Sequence, residues 1–240
     1  LFCENLMSGN KIANKNLSSK VSEFMNKLSR QDAYNEKAFG RIIFSLDATA
    51  SRAVTWDIAS DIQMKMFAEA EMFGNLLVQL VYYRGFDQCK SSKWLSCSNN
   101  LKFLMSKVSV LPGRTQIYRV LKHAIKENKK VPVNALVFIG DTLEEEIDTL
   151  ADLSGQLGVY GVPIFIFHEG NNAFASNAFK YICKLSKGAY FPFDHSSPEV
   201  LKDLLGAIGI YATGGLGALI KNEGKFKTPL KILTRQLKVE

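Results

Sequence analysis

From Arg41 onward, short apolar runs alternate with longer segments of helical periodicity. The runs are Ile42–Leu46, Leu76–Tyr83, Ala135–Ile139 and Val162–Phe167. They are nearly continuous, without the regular polar positions of a half-exposed strand. This pattern is typical of strands that are covered on both faces, as in a parallel sheet.

The remaining segments complete a six-stranded arrangement. A short edge strand is predicted at Phe86–Lys90 and a last strand at Ala189–Phe193. The helical segments lie near 52–73, 98–108, 115–128, 143–157, 173–186 and 198–211. Such alternation predicts an α/β fold with a doubly wound, mostly parallel sheet of the Rossmann-like type and helices on both faces. If the strand order is 3-2-1-4-5-6, the first and fourth strands flank the crevice where ligands gather.

The pattern predicts three segments: an N-terminal tail and helix over 1–40, one α/β domain over 41–213, and a basic helical extension over 214–240. Helical spacing marks the first segment at Val21, Phe24, Met25 and Leu28. A narrow apolar stripe marks the last segment at Leu230, Leu233 and Leu237. The stripe predicts a helix that packs on the domain or on a partner, with a basic amphipathic helix on a membrane surface as the alternative.

Composition and charge narrow the class of protein. The chain has 240 residues, of which 47% are apolar and 22% charged, which is enough for a full hydrophobic core. No stretch of about 18 apolar residues is recognised, so no membrane span is expected. The net charge of +7 resides mainly at the ends, because residues 41–220 hold 18 basic and 17 acidic side chains. The sequence therefore shows no basic face of the kind that nucleic-acid binders carry.

Cysteine usage and the N-terminal sequence predict a cytoplasmic protein. None of the four cysteines forms a pair with a two-residue gap, which favours free thiols in a reducing compartment. A disulfide between Cys89 and Cys97 is the alternative. Residues Leu1 to Lys20 lack the apolar core of a secretory signal, although such a signal could precede Leu1.

Five oxygen-bearing side chains form the strongest chemical signal. Asp47, Thr49 and Ser51 place a carboxylate and two hydroxyls at alternate positions behind the first strand. Thr115 begins a helix after Gly113-Arg114, and Asp141 ends the fourth strand. Hard oxygen donors alone suit Mg²⁺ or Mn²⁺ and suit zinc poorly. If these side chains converge, the chain holds one divalent cation.

The pattern Asp47-x-Thr49-x-Ser51 with Thr115 and Asp141 resembles the metal-ion-dependent adhesion site of von Willebrand factor type A (VWA) domains. The resemblance covers roughly residues 41–211. It implies direct coordination by the three hydroxyls, and coordination by the two aspartates either directly or through water. It also implies a protein-binding module, rather than an enzyme, whose cation accepts an Asp or Glu from a partner protein.

Two further segments are similar to small bacterial single-domain members of that family without an assigned role. They are Arg84-Gly85-Phe86 with Lys93-Trp94, and Gly161-Val162-Pro163. Arg114 is a possible hydrogen-bond donor to a partner carboxylate, with a solvated loop arginine as the alternative. His168 ends a strand at the same sheet edge, where a structural role is favoured over a role in the site.

Each of these residues also has a simpler interpretation. A single hydroxyl at this kind of position is usually a helix cap, and Thr142 with Glu145 fits a capping box. The run Glu144–Glu146 suits the positive end of a helix dipole.

Other function classes are less favoured. A metal-dependent phosphohydrolase of Rossmann-like fold needs a second acid two residues after Asp47, where Thr49 stands. No phosphate-binding glycine loop follows the first strand, and Gly214-Gly215-Leu216-Gly217 lies far along the chain. No small-molecule substrate is expected. A nucleic-acid-binding accessory protein that acts through its basic ends stays as an alternative and predicts strong salt dependence.

Overall fold

The computed structural model describes residues 40–53, 76–96, 103–193, 198–222 and Leu237. The predicted N-terminal helix, most of the helix at 52–73 and most of the C-terminal extension lie outside the described residues. The strands are β1 (Gly40–Asp47), β2 (Leu76–Arg84), β3 (Gln88–Ser91), β4 (Ala135–Gly140), β5 (Ile164–Glu169) and β6 (Ala189–Phe193). The helices are α1 (Ile117–Lys130), α2 (Ile147–Val159), α3 (Ala173–Leu185) and α4 (Pro198–Lys221).

The six strands form one sheet in the order β3-β2-β1-β4-β5-β6, which is the order considered from the sequence. All neighbouring strands are parallel except β2 and β3, which are antiparallel. The predicted α/β class and the mostly parallel sheet are therefore confirmed. The edge strand begins at Gln88 rather than Phe86, because Gly85 at φ +62° opens a tight turn that includes Phe86.

Two hydrophobic cores lie on opposite faces of the sheet. Ile42, Phe44 and Leu46 of β1 belong to one core, which also contains the buried side of α4. Ile43 belongs to the other core, which contains the buried sides of α1, α2 and α3. The alternation arises because successive side chains of a strand point to opposite faces. Helices therefore cover both faces, which explains why the strands read as continuous apolar runs.

The predicted start of α2 is wrong. The Thr142–Glu145 capping box is not formed, since α2 begins at Ile147 and its N-cap residue Glu146 makes no side-chain cap. Glu145 instead accepts hydrogen bonds from the backbone N–H groups of Ile117 (2.6 Å) and Tyr118 (2.8 Å). A carboxylate satisfies the exposed N–H groups of any nearby helix start. Glu145 therefore caps the start of α1, a helix that lies earlier in the sequence, and does not cap α2.

A smaller correction concerns β5. The predicted strand began at Val162, whereas β5 begins at Ile164. Pro163 stands between the two residues and has no N–H to donate to a strand ladder, so regular pairing starts after it.

Helix α4 extends beyond its predicted end at 211. It continues to Lys221 with a non-helical residue at Gly215 (φ 65°, ψ −167°), two positions after the predicted domain boundary at 213. Its segment Asp203–Lys221 has the length and apolar composition of a membrane span, with a mean hydropathy of 1.5, contrary to the expectation from sequence. Half of that segment is buried inside the fold, and α4 packs on β1 and β2. Helices in the core of a globular protein commonly have this length and hydropathy.

Glu127 near the end of α1 makes a testable contribution to stability. Burial raises the pKa of its carboxyl, but hydrogen bonds from Lys130 (2.5 Å) and Trp94 (2.9 Å) outweigh burial, so the net pKa is lowered. A lowered folded-state pKa stabilises the fold above the unfolded pKa of about 4.3, and this stabilisation disappears as the pH falls through the folded-state pKa.

We expect Glu127→Gln to cost about 0.5–1.5 kcal/mol of unfolding free energy at neutral pH. The difference from the parent chain should shrink as the pH falls below about 4. Urea unfolding at a series of pH values measures both quantities. A difference that is constant across this range would contradict the assignment.

Candidate metal site

Asp47 is held in place at the carboxyl end of β1. It is fully buried. Its Oδ1 accepts the backbone N–H of Thr49 at 2.8 Å, and its Oδ2 accepts the hydroxyl of Tyr83 at 2.9 Å. Each carboxylate oxygen therefore keeps further lone-pair capacity while its orientation is fixed. Burial, followed by the charge of Asp47 and this hydrogen bond, raises the pKa of Tyr83 well above its usual value, so the phenol remains a donor.

The two following hydroxyls lie next to each other. Thr49 Oγ1 and Ser51 Oγ are 3.1 Å apart, with Thr49 buried and Ser51 exposed. A single turn of 3₁₀ helix, Ala50–Arg52, brings them together. The first strand thus supplies three of the five predicted ligands from one short loop.

A buried arginine fixes this loop to the end of β5. The guanidinium of Arg52 donates to the backbone oxygen of Asp47 at 2.7 Å. It also forms an ion pair with Glu169, with Nε at 2.8 Å and Nη2 at 2.7 Å from the same carboxylate oxygen. Both residues are buried. The ion pair neutralises a charge next to the site and limits movement of the loop.

Asp141 follows β4 directly beside β1, where Leu46 is in register with Ile139. Gly140 permits the close approach of the two strand ends, since a Cβ there would lie 2.6 Å from the Phe138 ring and 3.5 Å from Asp47 Cβ. Asp141 Oδ1 is buried and has no hydrogen-bond partner among the described residues. Burial, and to a smaller extent the charge of Asp141, raises the pKa of Asp47. The negative charge of Asp141 therefore acts on the Asp47 carboxylate, and the positive charge of Arg52 offsets part of that effect.

His168 positions the loop that carries Asp141. Its Nε2 lies 3.0 Å from the backbone oxygen of Asp141, and its Nδ1 lies 2.8 Å from the hydroxyl of Tyr190. Because a carbonyl only accepts, the Nε2 atom carries the proton, and Nδ1 of the neutral ring accepts from Tyr190. Burial lowers the pKa of His168, which favours this neutral form. The favoured structural role of this histidine agrees with these contacts.

Thr115 lies buried in the segment just before α1. It does not cap that helix, whose N-cap residue is Gln116. Its Oγ1 accepts the backbone N–H of Glu144 at 3.0 Å, and its own N–H donates to Glu144 Oε2 at 3.4 Å. Thr115 is therefore bonded to the loop that follows Asp141.

A backbone contact ties the same segment to the first loop. Leu111 N–H donates to the oxygen of Ala48 at 3.0 Å, and Leu111 forms an isolated bridge with Thr49. The three ligand-bearing segments thus meet at one edge of the sheet.

Arg114 and three apolar side chains lie at the same end of the sheet. Arg114 is exposed, and its backbone N–H donates to the oxygen of Gly85 at 3.2 Å. Next to Gly85, the Phe86 side chain is 69% exposed on a turn that Arg119 holds through Asp87. Leu111 and Phe174 are exposed as well, at 38% and 60%. A partner at this site would meet apolar side chains on anchored loops.

Hydroxyl oxygens must complete any metal site here. In the part of the chain that the structure describes, no three His, Cys, Asp or Glu side chains cluster as metal ligands. Two carboxylates with three hydroxyls match the hard-donor preference of Mg²⁺ and Mn²⁺. The orphaned buried oxygen of Asp141 supports the fit, because a cation would supply its missing partner.

Sequence reasoning missed the residues that support the predicted ligands. Tyr83, Arg52 and Glu144 each bond to a predicted ligand or to its backbone, and Glu169 bonds to Arg52. Tyr83 could have been found, because parallel pairing of the first two apolar runs sets it opposite Asp47. The contacts of Glu144 with Thr115 and of Glu169 with Arg52 join residues that are remote in sequence, so they leave no local signal.

Comparisons with known proteins identify the fold. No family model matches the chain, and no curated protein matches it. Among solved structures, a von Willebrand factor type A protein from Catenulispora acidiphila superposes with a TM-score of 0.60 at 12% identity, covering 72% of this chain and 43% of that chain. The chain has the von Willebrand factor type A fold.

Two other solved structures share this VWA fold. An aerotolerance-related membrane protein from Bacteroides fragilis gives a TM-score of 0.54 at 16% identity, over 69% of this chain and 98% of that chain. Proximal thread matrix protein 1 from the mussel byssus, with a zinc-occupied metal-ion-dependent adhesion site, gives 0.56 at 14% identity, over 73% of this chain and 46% of that chain. The VWA fold expected from the five-residue pattern is thereby confirmed.

Proposed function

We propose that this VWA domain is a divalent-cation-dependent protein-binding module of the adhesion or scaffold type. Its cation, Mg²⁺ or Mn²⁺, would be held by Asp47, Thr49, Ser51, Thr115 and Asp141. One observation carries the proposal, namely the buried Asp141 oxygen without a partner among the described residues, beside the buried carboxylate of Asp47. Two coupled carboxylates at one sheet edge are costly to bury unless a cation compensates them.

The donor set also explains why the partner should present an acidic residue. Hydroxyl ligands coordinate without adding negative charge, so a cation held by two carboxylates remains electrophilic. A carboxylate from a partner would supply a further hard oxygen, and water fills that position otherwise. The exposed side chain of Arg114 is suited to hydrogen-bond the same carboxylate.

We infer a binding role in the cytoplasm rather than catalysis. Thr49 stands where a phosphohydrolase needs its second acid, and a threonine hydroxyl does not replace a carboxylic acid as the proton donor. His168 is engaged at both ring nitrogens by Tyr190 and the backbone of Asp141. The zinc in the mussel protein belongs to that protein's site. Here the all-oxygen donor set favours Mg²⁺ or Mn²⁺ over zinc.

Metal binding is tested with the exposed ligand, because its loss disturbs the fold least. Ser51→Ala removes one hydroxyl at an exposed position and should weaken Mg²⁺ or Mn²⁺ binding by about tenfold or more, the range seen when support of a metal site is lost. Isothermal titration calorimetry on the full chain measures the affinity. Ser106→Ala is the matched control, because it removes an exposed hydroxyl that donates to the backbone oxygen of Phe103 and is not a predicted ligand. Equal affinities for both variants would refute the site.

Partner binding needs a separate measurement. Proteins captured from an extract of the source cells with Mg²⁺ should be lost with EDTA and with Ser51→Ala, and retained with Ser106→Ala. In a captured partner, one Asp→Asn or Glu→Gln substitution should abolish binding. Capture that is indifferent to the metal would mean that this cation site does not carry partner recognition.

A further inference from the structure

Charged side chains are segregated between the two ends of the domain. The site end comprises the segments 47–52, 84–87, 111–116, 141–148 and 169–172, which hold eight acidic and three basic side chains. The basic end comprises the described segments 40–41, 125–134, 153–163, 180–188 and 212–215, which hold seven basic side chains and one acidic. That one acidic residue, Glu127, is buried and bonded to Lys130 and Trp94. The net charge of residues 41–220 is nearly zero, yet one end of the domain is strongly cationic.

The basic end is continuous because several helices finish there together. Each helix runs back along the parallel sheet, so its last turn lies at the amino ends of the strands. Gly158 of α2 abuts α3, since a Cβ there would lie 2.3 Å from the oxygen of Leu185. Tyr160 shares a cavity of about 300 Å³ with Pro132 after α1 and with Tyr211 of α4.

Exposed apolar side chains lie among these cations. Val159 is 87% exposed at the end of α2, and the adjacent Tyr160 is 46% exposed. Val131, directly after α1, is 50% exposed. Lys129, Lys130 and Lys184 flank them at the ends of α1 and α3 and are exposed as well. Burial of three apolar side chains would be favourable, and nothing in the described part of the chain covers them.

We propose that the basic end docks onto an anionic phospholipid membrane surface. Lysines near such a surface are attracted to its negative potential, and apolar side chains at the same level enter the boundary between headgroups and acyl chains. Tyrosine is well suited to that boundary, since its ring is apolar and its hydroxyl remains hydrated. Aliphatic side chains such as Val131 and Val159 gain little from a nucleic-acid backbone, which favours lipid over nucleic acid as the occupant.

This membrane contact is distinct from the metal-dependent site. The site end and the basic end lie at opposite ends of the parallel strands, since β1 begins at Gly40 and ends at Asp47. The membrane contact involves none of the predicted metal ligands. Binding to lipid should therefore persist in EDTA, whereas capture of a protein partner should not.

Vesicle sedimentation with the full chain tests the proposal. The chain should bind vesicles of phosphatidylserine with phosphatidylcholine, and bind vesicles of phosphatidylcholine alone much more weakly. The double variant Lys129→Gln/Lys184→Gln should lower the partition coefficient by about 25-fold, given a factor of about five for each lysine near an anionic surface. Lys90→Gln/Lys107→Gln removes the same charge from exposed positions elsewhere and should change binding by less than about fivefold.

A second pair of variants tests the apolar contact. Val159→Asp should lower the vesicle partition coefficient by about tenfold, because it removes the free energy gained by burying one valine side chain. Phe174→Asp adds the same charge at an exposed apolar position of the site end and should bind nearly as the parent chain does. Circular dichroism and thermal unfolding verify that every variant is folded.

Three results would overturn the membrane proposal. One is failure of the parent chain to bind the anionic vesicles. Another is an equal loss of binding for Val159→Asp and Phe174→Asp. The third is tight binding of duplex or single-stranded DNA without any binding of vesicles. If Lys129→Gln/Lys184→Gln abolished that DNA binding, the ligand of the basic end would be nucleic acid. All of these binding measurements are made in EDTA, so none of the results depends on the metal site.

Discussion

Replacing Glu169 with glutamine is expected to lower the unfolding free energy by about 3–5 kcal/mol, the usual effect of removing one partner from a buried ion pair. Glu169 bonds the guanidinium of Arg52 at 2.8 and 2.7 Å, and both side chains are buried. In the variant, the charge of Arg52 would stay in the interior and would lose its contact with this carboxylate. Urea unfolding followed by circular dichroism measures the change.

Two further variants separate this effect from a general loss of polar contacts. Asp87→Asn removes the partner of Arg119 in an exposed ion pair and should cost at most about 1 kcal/mol. The double variant Arg52→Met/Glu169→Leu removes both charges and should recover most of the stability that Glu169→Gln loses. A cost for Glu169→Gln similar to that of Asp87→Asn would show that the buried pair does not hold the loop.

The second large effect concerns Asp141. Its replacement by asparagine should leave stability unchanged or raise it without metal, and should lower stability relative to the parent chain with metal. In EDTA, Asp141→Asn should be as stable as the parent chain or more stable, because the repulsion that contributes to the raised pKa of Asp47 is removed. With Mg²⁺ at about 100 times its dissociation constant, the parent chain should gain about 2.7 kcal/mol. The melting temperature should rise by about 5–10 °C, at about 2–4 °C for each kcal/mol.

The Asp141→Asn variant should lose most of that metal-dependent gain. Differential scanning fluorimetry with Mg²⁺, Mn²⁺ and EDTA measures it. Glu146→Gln removes an exposed negative charge from the neighbouring loop and should keep the full increment. An increment that survives Asp141→Asn, or a marked destabilisation of this variant in EDTA, would contradict the role assigned to the buried oxygen.

The sheet was predictable because its strands are covered on both faces. Such strands read as uninterrupted apolar runs, and the alternation with helices restricts the topology to a few possibilities. The positions of Asp47 and Asp141 at neighbouring strand ends follow from that order. Two strand starts that depend on local turn residues were each predicted two residues too early. They are the start of β3 after the turn at Gly85 and the start of β5 after Pro163.

Contacts between segments remote in sequence account for the other errors. Glu145 was assigned to its own helix by local spacing, whereas the nearest unsatisfied N–H groups belong to α1. The Arg52–Glu169 pair joins loops 117 positions apart. The cationic end was hidden for a similar reason. Its lysines lie on successive helices, and only the antiparallel return of each helix brings their last turns together.

The backbone bridge between Thr49 and Leu111 has a thermodynamic consequence. It makes the two hydroxyl-bearing loops mechanically interdependent, so a ligand that displaces one loop shifts the other. By reciprocity, whatever factor the ion adds to the affinity of a bound protein, that protein adds to the affinity of the ion. The ion should accordingly have a lower dissociation constant in the complex than in the free domain.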